Sequence, residues 1–175
     1  AKGIVAEDHP LCLGGAGLSP LADRWLLPFV RQADLVLCAG YDPIEMRSGW
    51  REVWDPSAVN VIDISAEANL HYMHQASLNF IADTGGTLRL LRAEMAGGET
   101  WPDGEIESLR HNLAEAFPRS ETWGPAAVID ECQKMLPRNA IATVDSGAHR
   151  ILLSQMWSCR DARGLLQSSA LCTMG

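Results

Sequence analysis

The stretch "VDSGAH" at residues 144–149 sets an acid, a hydroxyl, a glycine and a histidine side by side. An apolar run, "AIATVD" at 140–145, leads into it, and "AHRILLSQMW" at 148–157 leads out with helical spacing. A loop between a strand and a helix presents free backbone N–H groups at the positive end of the helix dipole, and an imidazole adds a further donor. That combination suits an anion such as a phosphate. A helix start with an exposed histidine would use the same residues, and both readings stay open.

Other stretches carry weaker chemistry. "GGAG" at 14–17 precedes a helix, and glycines there would let N–H groups approach a phosphate. No clear strand precedes it and the full G-x-G-x-x-G pattern is absent, so a tight turn is the simpler reading. In "CAGYDPIE" at 38–45 a buried strand delivers Tyr41, Asp42 and Glu45, where an acid could meet a ribose or an amine. Asp-Pro is also a good helix opening, and that reading is preferred. His71 and His74 lack a third ligand at metal-binding spacing and read as surface residues, and His9 reads as part of a loop. No G-x-S-x-G, H-E-x-x-H, P-loop or EF-hand pattern occurs.

The elements that would position these residues alternate. A helix is predicted over 19–32, with Ser19 as its cap, Pro20 in its first turn and Pro28 as a kink or early stop. Continuous apolar runs at 34–40 and 58–64, and a weaker one at 78–83, predict strands buried on both faces. A helix follows over 84–96, capped by Asp83 or Thr84. After turn-rich residues come a short amphipathic helix at 105–117, a helix at 125–136, the strand at 140–145, the helix at 148–157 and a strand at 164–169. Strand–helix alternation implies an α/β fold with a parallel, Rossmann-like sheet and a second parallel α/β piece.

Composition narrows the function classes. Of the 175 residues, 47% are hydrophobic and the formal net charge is −8, with no run of Lys or Arg. Nucleic acid and anionic membrane are poor partners for such a chain. The five cysteines are odd in number and form no C-x-x-C pair, so they read as small apolar side chains in a reducing cytoplasm. No apolar run approaches the ~20 residues that would span a bilayer.

Several stretches, taken in order, resemble thiamine-diphosphate enzymes of the acetolactate synthase type. "AKGIVAEDHPLCLGGAGLSP", "ADLVLCAGYDPIE", "VNVIDIS" and "IADTGGTLRLL" are similar to successive segments of that family's central domain. "LPRNAIATVDSGAHRILLSQMW" and "LLQSSALCTMG" resemble the opening of its diphosphate-binding domain. The resemblance implies a partial central domain at 1–96, a linker at 97–123 and the first part of the diphosphate-binding domain at 124–175. Gly147 and His149 match the family's G-x-H diphosphate contact, with Ala148 standing where many synthases carry Gln. Met174 matches the methionine that holds thiamine in its bent form, and Cys172 replaces a glycine whose carbonyl faces the aminopyrimidine.

The same resemblance implies an enzyme that uses thiamine diphosphate and Mg²⁺. It would decarboxylate a 2-oxo acid such as pyruvate and transfer the carbanion to an acceptor, working as a cytoplasmic homo-oligomer, a dimer or tetramer. The metal ligands and the acid/base Glu would lie outside these residues, so the stretch alone is expected to be inactive, and no catalytic or metal-ligating residue is assigned to it. The turn "YDPIE" resembles flavin-free members, so FAD is possible but not favoured. Rival readings are another family chemistry, such as a 2-oxo acid decarboxylase or an oxalyl-CoA or sulfoacetaldehyde enzyme, or a noncatalytic nucleotide- or partner-binding module.

Overall fold

A computed structural model describes residues 2–43, 48–70, 73–98, 101–119, 122–168 and 172. The chain is a mixed α/β protein with parallel, Rossmann-like strands. Its contacts divide it into two compact units, residues 27–100 and residues 1–26 with 101–175. Side chains 100 or more residues apart join the first residues to 101–175.

Residues 27–100 form a three-stranded sheet in the order β1 (Leu35–Ala39), β2 (Asn60–Ser65), β3 (Leu78–Ile81), all parallel. The register places Cys38, Asp63 and Asn79 in one row across the strands. Val53, Val61 and Ile64 are fully buried here. Helix α2 (Thr84–Glu94) follows β3, and the Asp83 carboxylate accepts from the Gly86 N–H at 2.5 Å, the expected cap. The expectation of strands buried on both faces is corrected. Leu35 (48%), Leu37 (44%), Leu78 (54%) and Phe80 (49%) are all exposed on these strands. Apolar strand residues do not by themselves bring a covering layer.

In the other unit, β4 (Ala142–Val144) pairs in parallel with β5 (Leu165–Gln167). Helices α4 (Pro125–Met135) and α5 (Ala148–Met156) pack together beside them. The core is Ala126, Ile129, Met156, Trp157, Cys159 and Leu165, with Phe117, Ala140 and Val144 against it. Helix α3 (Glu105–Ala116) buries Leu109 and carries Arg110, whose Nη1 donates to the carbonyls of His9, Pro10 and Cys12 at 2.7, 3.2 and 3.2 Å. Helix α1 (Pro20–Val30) starts at the Ser19 cap and ends two residues after Pro28.

Lys2 is buried. Its Nζ donates to the carbonyls of Ser154 (2.6 Å) and Trp157 (2.8 Å) and pairs with Glu7 at 3.2 Å. Those are orphan carbonyls at the end of α5, so the lysine closes that helix terminus. Gly3 sits at φ +82, and a Cβ there would overlap the Asp161 carbonyl, so only glycine lets the chain pass so close.

Candidate functional site

Strand β4 ends at Val144 and delivers the loop 145–147 to the start of α5. The Asp145 carboxylate turns back on its own loop and accepts from the Ser146 N–H at 2.7 Å. Gly147, at φ +148, precedes the helix, and no side chain caps it. A Cβ on Gly147 would lie 2.6 Å from Cε1 and 2.8 Å from Nδ1 of His149. The imidazole thus folds back over the glycine, in space that any other residue would fill. His149 is exposed, so its ring faces solvent at a helix N-terminus with a positive partial charge. The spacing G-x-H has a physical meaning here: the glycine makes room and the histidine occupies it.

The neighbouring strand brings its own exit alongside. The Ser168 N–H donates to Val144 O at 3.1 Å, and Ser168 O accepts from Arg150 Nη1 at 2.6 Å and from Ser146 Oγ at 3.5 Å. Loop 145–149 and the segment leaving β5 are thereby held together at the carboxyl ends of parallel strands, where α/β sheets bind ligands. Cys172 is exposed, and Met174 lies outside the described residues. The His149 imidazole and the amides at the start of α5 face solvent as donors, while the Asp145 carboxylate takes the Ser146 amide. Among the described residues no group of three His, Cys, Asp or Glu side chains is placed to hold a metal ion.

The "GGAG" turn takes its structural reading. Gly14 and Gly17 have φ +80 and +92, and the buried Asp23 carboxylate accepts from the Gly17 N–H at 3.3 Å.

In residues 27–100, His74 is corrected from a surface residue to a buried one. Its Nε2 donates to Trp50 O at 2.5 Å and its Nδ1 accepts from the Tyr41 hydroxyl at 3.0 Å. The Tyr41 ring stacks on it, with centroids 5.5 Å apart and planes 3° apart, and Trp54 lies 4.7 Å away. Burial, then the nearby Cys38 and Asp42, push the Tyr41 phenol well above its ordinary range. His71 and Glu45 lie outside the described residues.

Sequence reading missed Asp63. It is 4% exposed, and its Oδ1 has no hydrogen-bond partner among the described residues. It borders a cavity of about 270 Å³ with Ser65, Asn69, His74 and Asn79. The signal was available: an ionisable residue in the middle of the apolar run "VNVIDIS". A larger hollow of about 630 Å³, bordered by Arg31, Arg51 and Trp54, includes Ala33 and Val59 before β1 and β2, away from the strands' carboxyl ends.

No family model matches the chain. It is 25% identical over 155 residues to an acetolactate synthase of Bacillus subtilis (strain 168), covering 83% of this chain and 27% of that protein. It is 26% identical over 181 residues to the acetolactate synthase isozyme 1 large subunit of Escherichia coli (strain K12), covering 100% of this chain and 31% of that protein. The chain is distantly related to acetolactate synthases. It spans less than a third of the length of these relatives. No helix among the described residues is long and apolar enough to cross a membrane.

Proposed function

We propose that the chain is part of a thiamine-diphosphate- and Mg²⁺-dependent enzyme of the acetolactate synthase type. Such an enzyme decarboxylates a 2-oxo acid such as pyruvate and passes the remaining carbon unit to an acceptor. The observation that carries the reading is the loop of Gly147 and His149 at an uncapped helix start, in a chain related to acetolactate synthases. That loop fits a diphosphate: it offers amide donors, an imidazole donor and a favourable dipole, with no side chain in the glycine's place.

Thiamine diphosphate, when bound, supplies a thiazolium ring that takes up the electron pair left as CO₂ departs. The residues of this chain bind and orient. His149 and the amides at the start of α5 would hold the diphosphate, Cys172 would contact the aminopyrimidine through its backbone, and Met174 would serve as an apolar wedge. The Mg²⁺ ligands and the acid/base Glu belong to segments beyond these residues, and the enzyme works as a homo-oligomer. The 175 residues alone bind the cofactor weakly and turn over no substrate.

The test is an NMR titration of this chain with thiamine diphosphate and Mg²⁺, with a screen of 2-oxo acids on the longer protein that carries it. Shifts centred on Gly147, Ala148 and His149, and pyruvate-dependent CO₂ release, are expected. Shifts confined to residues 27–100, with no 2-oxo acid consumed, would overturn the reading.

The Asp63 oxygen, without a hydrogen-bond partner among the described residues and beside that cavity, favours a second reading, a nucleotide held by residues 27–100 through hydroxyl donors to that carboxylate. FAD is one such nucleotide. Equilibrium dialysis with FAD and ADP checks it: binding that Asp63→Ala abolishes supports this reading, and no binding removes it.

A further inference from the structure

The first turn of α5 contains a cation, Arg150, at the helix end where a cation is unfavourable. The guanidinium is always charged and the residue is half-buried, so its burial must be offset by strong acceptors. One of them is Ser168 O, which accepts from Nη1 at 2.6 Å, the short distance of a charge-assisted bond. Ser168 directly follows β5 and is the last described residue before Cys172. Arg150 directly follows His149. This single side chain therefore ties the loop of Gly147 and His149 to the segment that leaves the adjacent strand.

Among the described residues, two weaker links run in parallel. The Ser168 N–H donates to Val144 O at 3.1 Å, and Ser146 Oγ reaches Ser168 O at 3.5 Å. The first extends the β4–β5 ladder and fixes the segment's start, but not the loop beyond Val144. The second is long for a hydroxyl bond. Among the described residues, Arg150 Nη1 to Ser168 O is the short link that spans from the helix to the neighbouring exit.

We propose that Arg150 is a positioning residue of the anion site: it sets the spacing between loop 145–149 and the segment after β5 without itself binding the anion. The inference rests on the proposed diphosphate role of that loop.

The experiment compares Arg150→Met and Arg150→Lys with the wild-type chain by hydrogen exchange and by NMR titration with inorganic pyrophosphate. In Arg150→Met, exchange at 145–149 and 167–168 is expected to rise about tenfold and pyrophosphate affinity to fall about tenfold, the usual scale for loss of one charged hydrogen bond. Arg150→Lys restores part of both and serves alone if Arg150→Met does not fold. Lower affinity with unchanged exchange would make Arg150 a direct anion ligand, and unchanged affinity with a lower Tm would make it merely structural; either overturns the proposal. Faster exchange in the variants, with no pyrophosphate response in any chain including wild type, would uphold the strap, refute its role in an anion site and count against the diphosphate reading. Unchanged exchange refutes the strap whatever pyrophosphate does.

Discussion

The imidazole of His149 occupies the space beside Gly147 that a Cβ would need, with Cε1 2.6 Å from that position. One residue makes the room that the other uses, and both stand at the start of α5.

Gly147→Ala is therefore expected to act twice. The methyl group collides with the ring, and φ +148 is a conformation that alanine rarely adopts. Displacing the loop should cost about 1–3 kcal/mol. Urea denaturation measures that cost, and pyrophosphate titration measures the accompanying loss of affinity. A variant with wild-type stability and affinity would mean that the ring does not rest on the glycine in solution.

Much of this framework was legible in the sequence. The caps at Ser19 and Asp83 and the apolar runs set elements within about two residues of their observed ends. These are local signals, and local hydrogen bonding settles them. Four things escaped. The exposure of Leu35 and Leu37 depends on what covers a sheet, which an apolar run does not encode. Lys2 and Ser154 meet across 152 positions, which no spacing rule reaches. His74 reads as a surface polar residue until Tyr41 and Trp50 are folded around it. The G-x-H spacing can be read in the sequence because its residues are adjacent; the cavity at Asp63 cannot, because its walls come from separate strands and loops.

Lys2→Met should be among the most damaging single changes. It leaves Glu7 buried without its cation and two helix-end carbonyls without a donor. Breaking one half of such a pair costs roughly 3–5 kcal/mol. The double variant Lys2→Met with Glu7→Gln should recover a large part, because the amide oxygen still accepts from the Cys159 N–H, now 3.0 Å from the Glu7 carboxylate. Equilibrium unfolding of the single and double variants decides it. Equal losses in both would show that the ion pair itself is not what matters.

Asp130 gives a pH prediction. Hydrogen bonds from Lys134 (2.7 Å) and Arg119 (3.1 Å) hold its carboxyl below the ordinary value of 3.8. A depressed folded pKa means that the unfolded chain takes up the proton first. The contribution is complete above about 3.8 and is lost as pH falls through the lower folded value. Asp130→Asn should thus lower Tm at pH 7 and change it little at the acid end, where wild type is also protonated. Thermal unfolding from pH 2 to pH 7 shows whether the two curves converge; parallel curves would refute the assignment.

Thiol chemistry distinguishes the cysteines. Burial, reinforced by Asp63, pushes the Cys38 thiol up to about 11, and burial with Glu7 does the same for Cys159. At pH 8 their thiolate fractions are therefore very small, and thiolate is the nucleophile. Cys132 and Cys172 are exposed. Treatment of the native chain with iodoacetamide followed by peptide mass analysis should modify Cys132 and Cys172 first, with Cys38 and Cys159 protected until urea unfolds the chain. The result also bears on the proposed cofactor site. Cys172 lies on the segment that carries Met174, so thiamine diphosphate bound there should slow its labelling and leave Cys132 unaffected. Labelling of both at unchanged rates under saturating cofactor would place the ligand elsewhere.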